Sequence, residues 1–272
     1  MEIPVIKVEA KTLPEVWEKA VVETWEKGIQ IKTEYDKEKD PPSRDCTMIM
    51  VCHEPLSEPR IHRAFPGSLE DLEIYRQEVV LGIHDHWIDP KEGKWTYTYH
   101  KRLFEYESGD DFVKQMDYMV EKLTDNHYTR RAQAITWNPK LDVGTDDPPC
   151  LQRIWCRLVE GDLKYMLEMN THWRSRDAYK ASFMNMFALS DLAGYLCGQI
   201  SKKIKKDVVV GRYVDISDSF HIYGSYFSDF ESFLKMIKMR SFEERTWNSQ
   251  FAETYFDEAK KKIQKERRTA GV

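Results

Sequence analysis

The sequence predicts one α+β domain, because segments with strand-like and helix-like apolar patterns alternate along all 272 residues without a break in composition. The chain is long enough for one large domain or two small ones, but no linker, internal repeat or low-complexity segment divides it. Hydrophobic residues make up 41% and charged residues 32%, as in ordinary globular proteins. Residues 1–272 are therefore predicted to form a single domain.

In the first half of the chain, apolar spacing predicts helices between short strands. Residues 3–8 are predicted to form an edge strand, followed by an amphipathic helix from Leu13 to near Gly28. Residues 35–44 are a predicted loop, and a strand covers residues 47–52. Ser68, with Asp71 three residues on, is a predicted N-cap. The helix after it has a predicted buried face made of Leu72, Tyr75, Val79 and Ile83, with Glu78 beside that face.

In the second half, strands and helices are again intermixed. Residues 95–99 alternate as a strand does, and a helix is predicted to begin at Asp110. A predicted hairpin turn, Glu160-Gly161-Asp162, lies between two strand candidates. The remaining predicted elements are strands at 131–137, 154–159, 163–169 and 208–214, a loop at 138–150, a buried helix at 182–200, and helices at 228–239 and 242–264.

Charge and apolar patterning exclude several classes of protein. The formal net charge of −5 argues against broad nucleic-acid binding, which needs a basic surface. No apolar run approaches the ~18 residues that a membrane helix needs, and the first residues lack the basic and apolar regions of a signal peptide. The five cysteines show no C-x-x-C spacing or secreted framework. We therefore expect a cytoplasmic protein that binds neither membranes nor nucleic acid.

The densest group of chemically useful residues lies between Thr129 and Asp177. It contains Arg130-Arg131, the sequence Pro148-Pro149-Cys150, and Arg174-Ser175. Arginine presents fork-shaped donors that suit phosphate oxygens, and nearby cations favour the nucleophilic thiolate of a cysteine. These residues indicate an enzyme in which Cys150 attacks a phosphorylated small molecule. A buried structural cysteine and surface-charge arginines remain the alternative interpretation.

Two other groups are weaker candidates. His84, His86, Asp85 and Asp89 could be metal ligands, but no further ligand motif accompanies them, so no metal site is predicted. His221 and Tyr223 would share a face of an extended segment and could bind a sugar hydroxyl or form a structural pair. The basic runs 202–206 and 260–268 are typical of solvated helix ends.

Together, these motifs resemble the folate-dependent thymidylate synthase family, which also includes pyrimidine-nucleotide hydroxymethylases. The motifs are Arg130-Arg131, Trp137-Asn138, Pro149-Cys150, Arg174-Ser175-x-Asp177, Asn185 and His221-Ile222-Tyr223. The similarity is close over residues 129–223 and looser through Arg44, Glu78 and residues 97–101. It implies a three-layer α+β fold built on a large mixed β-sheet flanked by helices, with the sheet packed against its partner in a homodimer.

The resemblance implies a role for each residue of the substrate site. The Cys150 thiolate would add to C6 of dUMP, and C5 would accept a one-carbon unit from the co-substrate 5,10-methylenetetrahydrofolate, without a metal. The 5′-phosphate would be held by Arg44, Arg174 and Ser175, and by Arg130 and Arg131 of the partner subunit. The remaining implied roles are uracil recognition for Asn185, 3′-hydroxyl binding for His221 and Tyr223, proton relay for Glu78, removal of the C5 proton for Tyr99, and folate contact for Asp177, Trp87 and the C-terminal Val272.

The sequence also departs from the family pattern, and the departures leave the product open. Leu151 stands where the family usually has His after the nucleophile, and Trp173 stands where Gln commonly precedes the Arg-Ser pair. A synthase is the main hypothesis; a 5-hydroxymethylase, which admits water, and a non-catalytic nucleotide-binding relative are the alternatives. Asn185 favours uracil over cytosine, whereas ribose or deoxyribose, and folate or another pterin carrier, stay open.

Overall fold

The computed structural model describes residues 2–270, with only the backbone at position 270. The strands are β1 Val5–Ala10, β2 Ile29–Ile31, β3 Ser43–Cys52, β4 Ile61–His62, β5 Tyr106–Ser108, β6 Asp111–Val113, β7 Gln133–Ile135, β8 Leu151–Glu160, β9 Tyr165–Trp173, β10 Arg176–Asp177, β11 Val208–Ile222 and β12 Thr246–Trp247. The helices are α1 Leu13–Lys27, α2 Leu69–Leu81, α3 Tyr99–Phe104, α4 Gln115–Asp125, α5 Pro139–Asp142, α6 Ser182–Ile204, α7 Phe227–Met239 and α8 Ser249–Ala270.

An eight-stranded mixed sheet forms the centre of the molecule. Its main path runs β1-β3-β11-β9-β8-β7, with β2 added to β3 and β10 added to β11. The β1–β3 and β9–β11 pairs are parallel, whereas β3–β11 and β8–β9 are antiparallel. The predicted α+β class and the large mixed sheet are confirmed, and β1 lies at an edge of the sheet as predicted.

One face of the sheet is buried under helices, and the other is half-exposed. Side chains of β9 alternate strictly: its odd-numbered residues from Tyr165 to Trp173 are buried and the even-numbered ones are intermediate. Helices α1 and α6 pack on the sheet, α2 packs on α6, and α8 packs on α2. The half-exposed face carries polar contacts such as the Arg212–Glu168 ion pair, whose Nε–Oε2 distance is 2.6 Å.

Helices α1 and α2 begin where their local sequence signals place them. Helix α1 ends at Lys27, before Gly28, and buries Trp17, whose Nε1 donates to the Ala178 carbonyl at 3.0 Å. Helix α2 begins with a capping box in which the Ser68 hydroxyl accepts from Asp71 N at 3.0 Å. Of its predicted buried face, Leu72, Val79 and Ile83 are buried as expected, but Tyr75 is only partly so.

Three predicted elements are wrong, for physical reasons that the sequence pattern does not reveal. Residues 95–98 form no strand apart from one bridge at Trp95, and Tyr99 instead opens helix α3, which Thr98 caps. Asp110 does not begin a helix, because residues 106–113 form a hairpin and α4 starts only at Gln115. The predicted helix from 242 begins at Ser249, since Thr246 and Trp247 pair with β4.

Two of the three register shifts in the sheet lie beside residues assigned to the site. One falls between Leu151 and Arg153, directly after Cys150, and another between Ser217 and Phe220, directly before His221. Bulges of this kind locally re-aim side chains and are frequent next to active sites. Among residues 2–270, no helix is both long and apolar enough to cross a membrane.

Candidate active site

Cys150 lies at the end of a loop and immediately before β8, where Arg174 fixes the backbone around it. Arg174 N donates to the Cys150 carbonyl at 2.9 Å, its Nε donates to the Pro149 carbonyl at 3.1 Å, and its Nη2 to the Pro148 carbonyl at 2.5 Å. Three successive carbonyls are therefore held by one residue. Because a guanidinium carries five N–H donors, some remain for an anionic ligand.

The loop before Cys150 is anchored to helix α3. Arg102 and Asp142 form a buried ion pair, with Nη2 and Oδ1 2.6 Å apart, and Asn138 N donates to the other carboxylate oxygen at 2.7 Å. Charge-assisted hydrogen bonds of this length are among the stronger contacts in proteins. Helix α3 therefore positions both the loop and Tyr99, which opens the same helix.

The Cys150 thiol is half-buried, and burial raises its pKa in the single subunit. Arg174 and, more weakly, Arg176 oppose this shift through their charges, whereas Asp147 reinforces it. The expectation that nearby arginines make the thiolate the favoured form is therefore not met by this subunit alone, because desolvation outweighs them. Arg130 and Arg131 are not among the groups that shift this pKa.

Two tyrosines lie against the Cys150 loop. The Tyr99 hydroxyl accepts from Leu151 N at 3.3 Å, and its ring packs edge-on against Trp173 with centroids 5.8 Å apart. Tyr97 lies beside it, with ring centroids 5.5 Å apart. Burial raises the pKa of both phenols, so both keep their protons near neutral pH. Tyr97 was not predicted as a site residue; the alternation in residues 95–99 marked only a strand there.

Asn185 lies near the start of helix α6 and is hydrogen bonded at both ends of its amide. Its Nδ2 donates to the Tyr75 hydroxyl at 2.6 Å, and its Oδ1 accepts from Arg176 Nε at 3.3 Å. Arg176 stacks over Trp173, 4.2 Å from the ring centroid, so this network adjoins the Tyr99 contact. Neither Arg176 nor Tyr75 was predicted to take part: Tyr75 looked like a core residue, and Arg176 was only the unnamed position in the Arg-Ser-x-Asp motif.

His221 is buried at the end of β11, opposite Asp45 on β3. The Ser219 hydroxyl donates to Asp45 Oδ2 at 2.7 Å, and therefore accepts from His221 Nδ1, 3.2 Å away. Burial lowers the His221 pKa to about 4, so the ring is neutral at neutral pH and its Nε2 is an acceptor. Within the described residues, no protein group bonds that Nε2.

Tyr223 and Asp177 connect the His221 region to the Cys150 loop. The Tyr223 ring lies edge-on to His221 at 4.6 Å, and the Cys150 thiol is near enough to influence the Tyr223 phenol. Asp177 pairs with His221 across β10 and β11, and one carboxylate oxygen accepts from the backbone N–H groups of Tyr179 and Lys180. Burial nevertheless raises the Asp177 pKa. The carboxylate therefore lies beside His221.

The structure does not bring every predicted residue to this cluster. Glu78 pairs with His84, with Oε2 and Nδ1 2.9 Å apart, and Trp87 stacks on His84 with ring centroids at 3.7 Å. Trp87 is 39% exposed, so its ring is available to a flat ligand. Across residues 2–269, no three His, Cys, Asp or Glu side chains are grouped as metal ligands would be. Val272 lies outside the described residues.

The predicted phosphate-binding residues fall in three places. Ser175 lies half-buried next to Arg174, at the Cys150 loop. Arg44 lies on β3 opposite Ile222, and its side chain stacks over Trp25, 4.7 Å from the ring centroid. Arg130 and Arg131 are exposed in the segment before β7, so the strand predicted from Arg131 begins only at Gln133. Their side chains are therefore accessible to a second subunit.

Comparisons with known proteins identify the family. The thymidylate synthase family model matches residues 69–270. A protein of Methanocaldococcus jannaschii named "Putative thymidylate synthase" is 31% identical over 201 residues, covering 72% of this chain and 81% of its own. One of the same name from Methanococcoides burtonii is 27% identical over 234 residues, covering 85% and 95%.

A solved structure gives the same fold. The thermostable thymidylate synthase A of Bacillus subtilis superposes with a TM-score of 0.58 at 16% sequence identity, covering 81% of this chain and 83% of that one. The family match extends over most of the chain and includes the Cys150 loop, Asn185 and His221. The chain belongs to the thymidylate synthase family.

Proposed function

We propose that the protein is a folate-dependent thymidylate synthase that converts dUMP to thymidylate. The observation that supports this most is the set of neighbours of Cys150: Arg174 fixes its backbone, Arg176 near its thiol bonds Asn185, and Tyr223 near its thiol packs on His221. C5 alkylation of a pyrimidine nucleotide requires a nucleophile, an amide that recognises the base, and a neutral group that accepts a hydrogen bond from a sugar hydroxyl.

In this proposal, the Cys150 sulfur forms a bond to C6 of uracil, and the electron pair of the C5–C6 bond moves into the C4 carbonyl to give an enolate. Asn185 stabilises the charge on O4 by donating its remaining N–H. Carbon C5 would then accept the one-carbon unit, and loss of the C5 proton, with help from Tyr99, would supply the electron pair that breaks the bond between this carbon and the carrier nitrogen. Elimination of Cys150 restores the C5–C6 bond and returns the thiolate.

The sugar and phosphate contacts follow from the same site. The neutral His221 ring accepts a hydrogen bond from the 3′-hydroxyl at Nε2, because its Nδ1 already donates to the Ser219 hydroxyl. Arg174 and Ser175 hold the 5′-phosphate, joined by Arg130 and Arg131 of the partner subunit in a homodimer. Added cations would also oppose the effect of burial on Cys150, so that the assembled site favours the thiolate.

Trp87 and Asp177 are the proposed contacts of the pterin. Trp87 offers an exposed ring for stacking, and the Asp177 carboxylate can accept hydrogen bonds from ring nitrogens. When bound, 5,10-methylenetetrahydrofolate supplies the one-carbon unit and then a hydride to it. Glu78, paired with His84 in this subunit, is the proposed proton relay.

The deciding experiment incubates the protein with dUMP and 5,10-methylenetetrahydrofolate and identifies the product by mass spectrometry. We expect thymidylate from the unmutated chain and none from Cys150→Ala, which should still bind dUMP. Cys156→Ala is the matched control, because that cysteine is fully buried in the core, on β8. A 5-hydroxymethyl product would identify a hydroxymethylase, and dUMP binding without turnover would identify a non-catalytic relative.

A further inference from the structure

The amide of Asn185 has only one orientation compatible with its neighbours. Arg176 Nε is 3.3 Å from the amide oxygen, and an arginine carries donors alone, so it can face only Oδ1. The Tyr75 hydroxyl, 2.6 Å from Nδ2, accepts from the other end. If the amide were rotated by half a turn, its NH₂ group would face the donors of Arg176, leaving buried groups unpaired.

Arg176 is itself held rigidly. It forms a buried ion pair with Asp215, donates from Nη2 to the Ser182 carbonyl at 2.9 Å and stacks on Trp173. Its side chain is 1% exposed and that of Asp215 is fully buried. Asp215 Oδ2 is fixed in turn by the Tyr213 hydroxyl at 2.7 Å and Trp173 Nε1 at 3.2 Å. The guanidinium therefore cannot turn away from Asn185 without breaking a buried network.

After these two bonds, the Asn185 amide has one N–H and one lone pair left for a ligand. In the fixed orientation, the N–H can meet O4 of uracil while the lone pair meets N3–H. Cytosine presents the reverse pattern, a donor at N4 and an acceptor at N3, and would need the rotated amide. We propose that Arg176 is the positioning residue that makes Asn185 select uracil against cytosine. The proposal rests on the proposed function, in which Asn185 reads the base.

The binding test measures the dissociation constants of dUMP and dCMP by calorimetry. The test variant is Arg176→Gln with Asp215→Asn, which removes both charges and provides a side chain that can donate or accept. We expect the preference for dUMP over dCMP to fall at least about tenfold, the value of a hydrogen bond to a charged group. Arg176→Lys, which is still a donor only, should keep most of the preference.

The matched control is Arg60→Gln with Asp191→Asn. That pair, with Nη2 and Oδ1 2.9 Å apart, also joins a partly buried arginine to an aspartate, and Asp191 lies on helix α6 as Asn185 does, but the pair touches neither Asn185 nor Tyr75. We expect this control to leave the ratio of the two affinities unchanged. A test variant that binds both nucleotides with an unchanged ratio would overturn the role of Arg176 and leave the proposed function intact.

A second measurement needs no variant of Arg176. In the unmutated protein, nuclear Overhauser contacts from the Asn185 NH₂ protons should be stronger to the Tyr75 ring than to Arg176 Hε. The reverse order of intensities would overturn the inference. Failure of the unmutated protein to bind either nucleotide would overturn the proposed function and, with it, the role of Arg176 in selecting a base.

Discussion

Among single residues, Cys150 shows how burial and charge compete within one subunit. Burial raises its pKa, and Arg174 is the strongest opposing group. The other four cysteines are buried more deeply, with the pKa raised to about 11 for Cys46 and to about 12 for Cys52 and Cys197. Cys150 should therefore be the most reactive thiol of the chain, although a slow one at neutral pH.

This predicts the pH dependence of alkylation. The rate at which iodoacetamide labels Cys150 in the absence of nucleotide should still be rising at pH 9. The Cys150 pKa is raised above the ordinary cysteine value of about 8.5, so its thiolate fraction is still increasing at that pH. Arg174→Gln should shift this profile to higher pH, whereas the exposed Arg153→Gln should not. Peptide mass spectrometry gives the site-specific rates. A plateau below pH 8 would contradict the assignment of burial as the dominant effect.

His221 makes a prediction about acid stability. Its folded pKa of about 4 lies below the unfolded value of about 6.5, so only the unfolded state takes up a proton as pH falls between them. Above pH 6.5, His221 does not lower the free energy of unfolding. As the pH falls to 4, protonation of His221 in the unfolded state lowers the free energy of unfolding by about 3 kcal/mol. Urea titrations should show that the free energy of unfolding declines less steeply with falling pH in His221→Gln than in the unmutated protein. Asp45 and Asp177 contribute in the opposite direction, and taking the difference between the two proteins removes their contributions. Parallel curves would refute the lowered pKa.

Among elements, helix α2 is specified by local sequence and carries Tyr75, which bonds Asn185, and Glu78, which pairs with His84. Ser68→Ala removes one bond of its capping box and should lower the free energy of unfolding by about 1 kcal/mol. Ser232→Ala is the control, because that exposed hydroxyl only bonds back to the Ser228 carbonyl within α7. Denaturant titration measures both variants. Equal stability of Ser68→Ala and the unmutated chain would mean that packing alone fixes the start of α2.

The elements also show what the sequence could reveal. Long periodic segments such as α1 and α6 were predicted to within a few residues, because their apolar spacing records which face is buried. The hairpin at 106–113 was missed, since its strands are exposed and lack an apolar face. Likewise, the pattern at Tyr75 reports burial but not the partner: only the tertiary fold brings its hydroxyl to Asn185, 110 residues away.

For the whole molecule, the half-exposed sheet face and the exposed Arg130 and Arg131 predict that each site draws on two subunits. Arg130→Ala with Arg131→Ala, and Cys150→Ala, should each be inactive alone. Mixed, unfolded and refolded in equal amounts, they should regain about a quarter of full activity, because half of the dimers contain one complete site. Turnover assays before and after refolding measure this.

A second mixture serves as control. Cys150→Ala mixed with Tyr99→Phe should regain nothing, since both residues belong to the same subunit's site. Activity recovered in both mixtures, or in neither, would show that Arg130 and Arg131 do not act across the interface.

The bulge before His221 has a consequence for how such a site evolves. Between Ser217 and Phe220, β11 advances three residues while β3 advances two, so β11 carries one extra residue. Phe220 still faces the core opposite Cys46, and His221 still faces Asp45, so the extra residue displaces nothing. It provides room for the Ser219 hydroxyl that fixes the His221 ring. Insertion or deletion of one codon here would therefore change the hydrogen bonding of His221 while the packing of Phe220 against Cys46 is preserved.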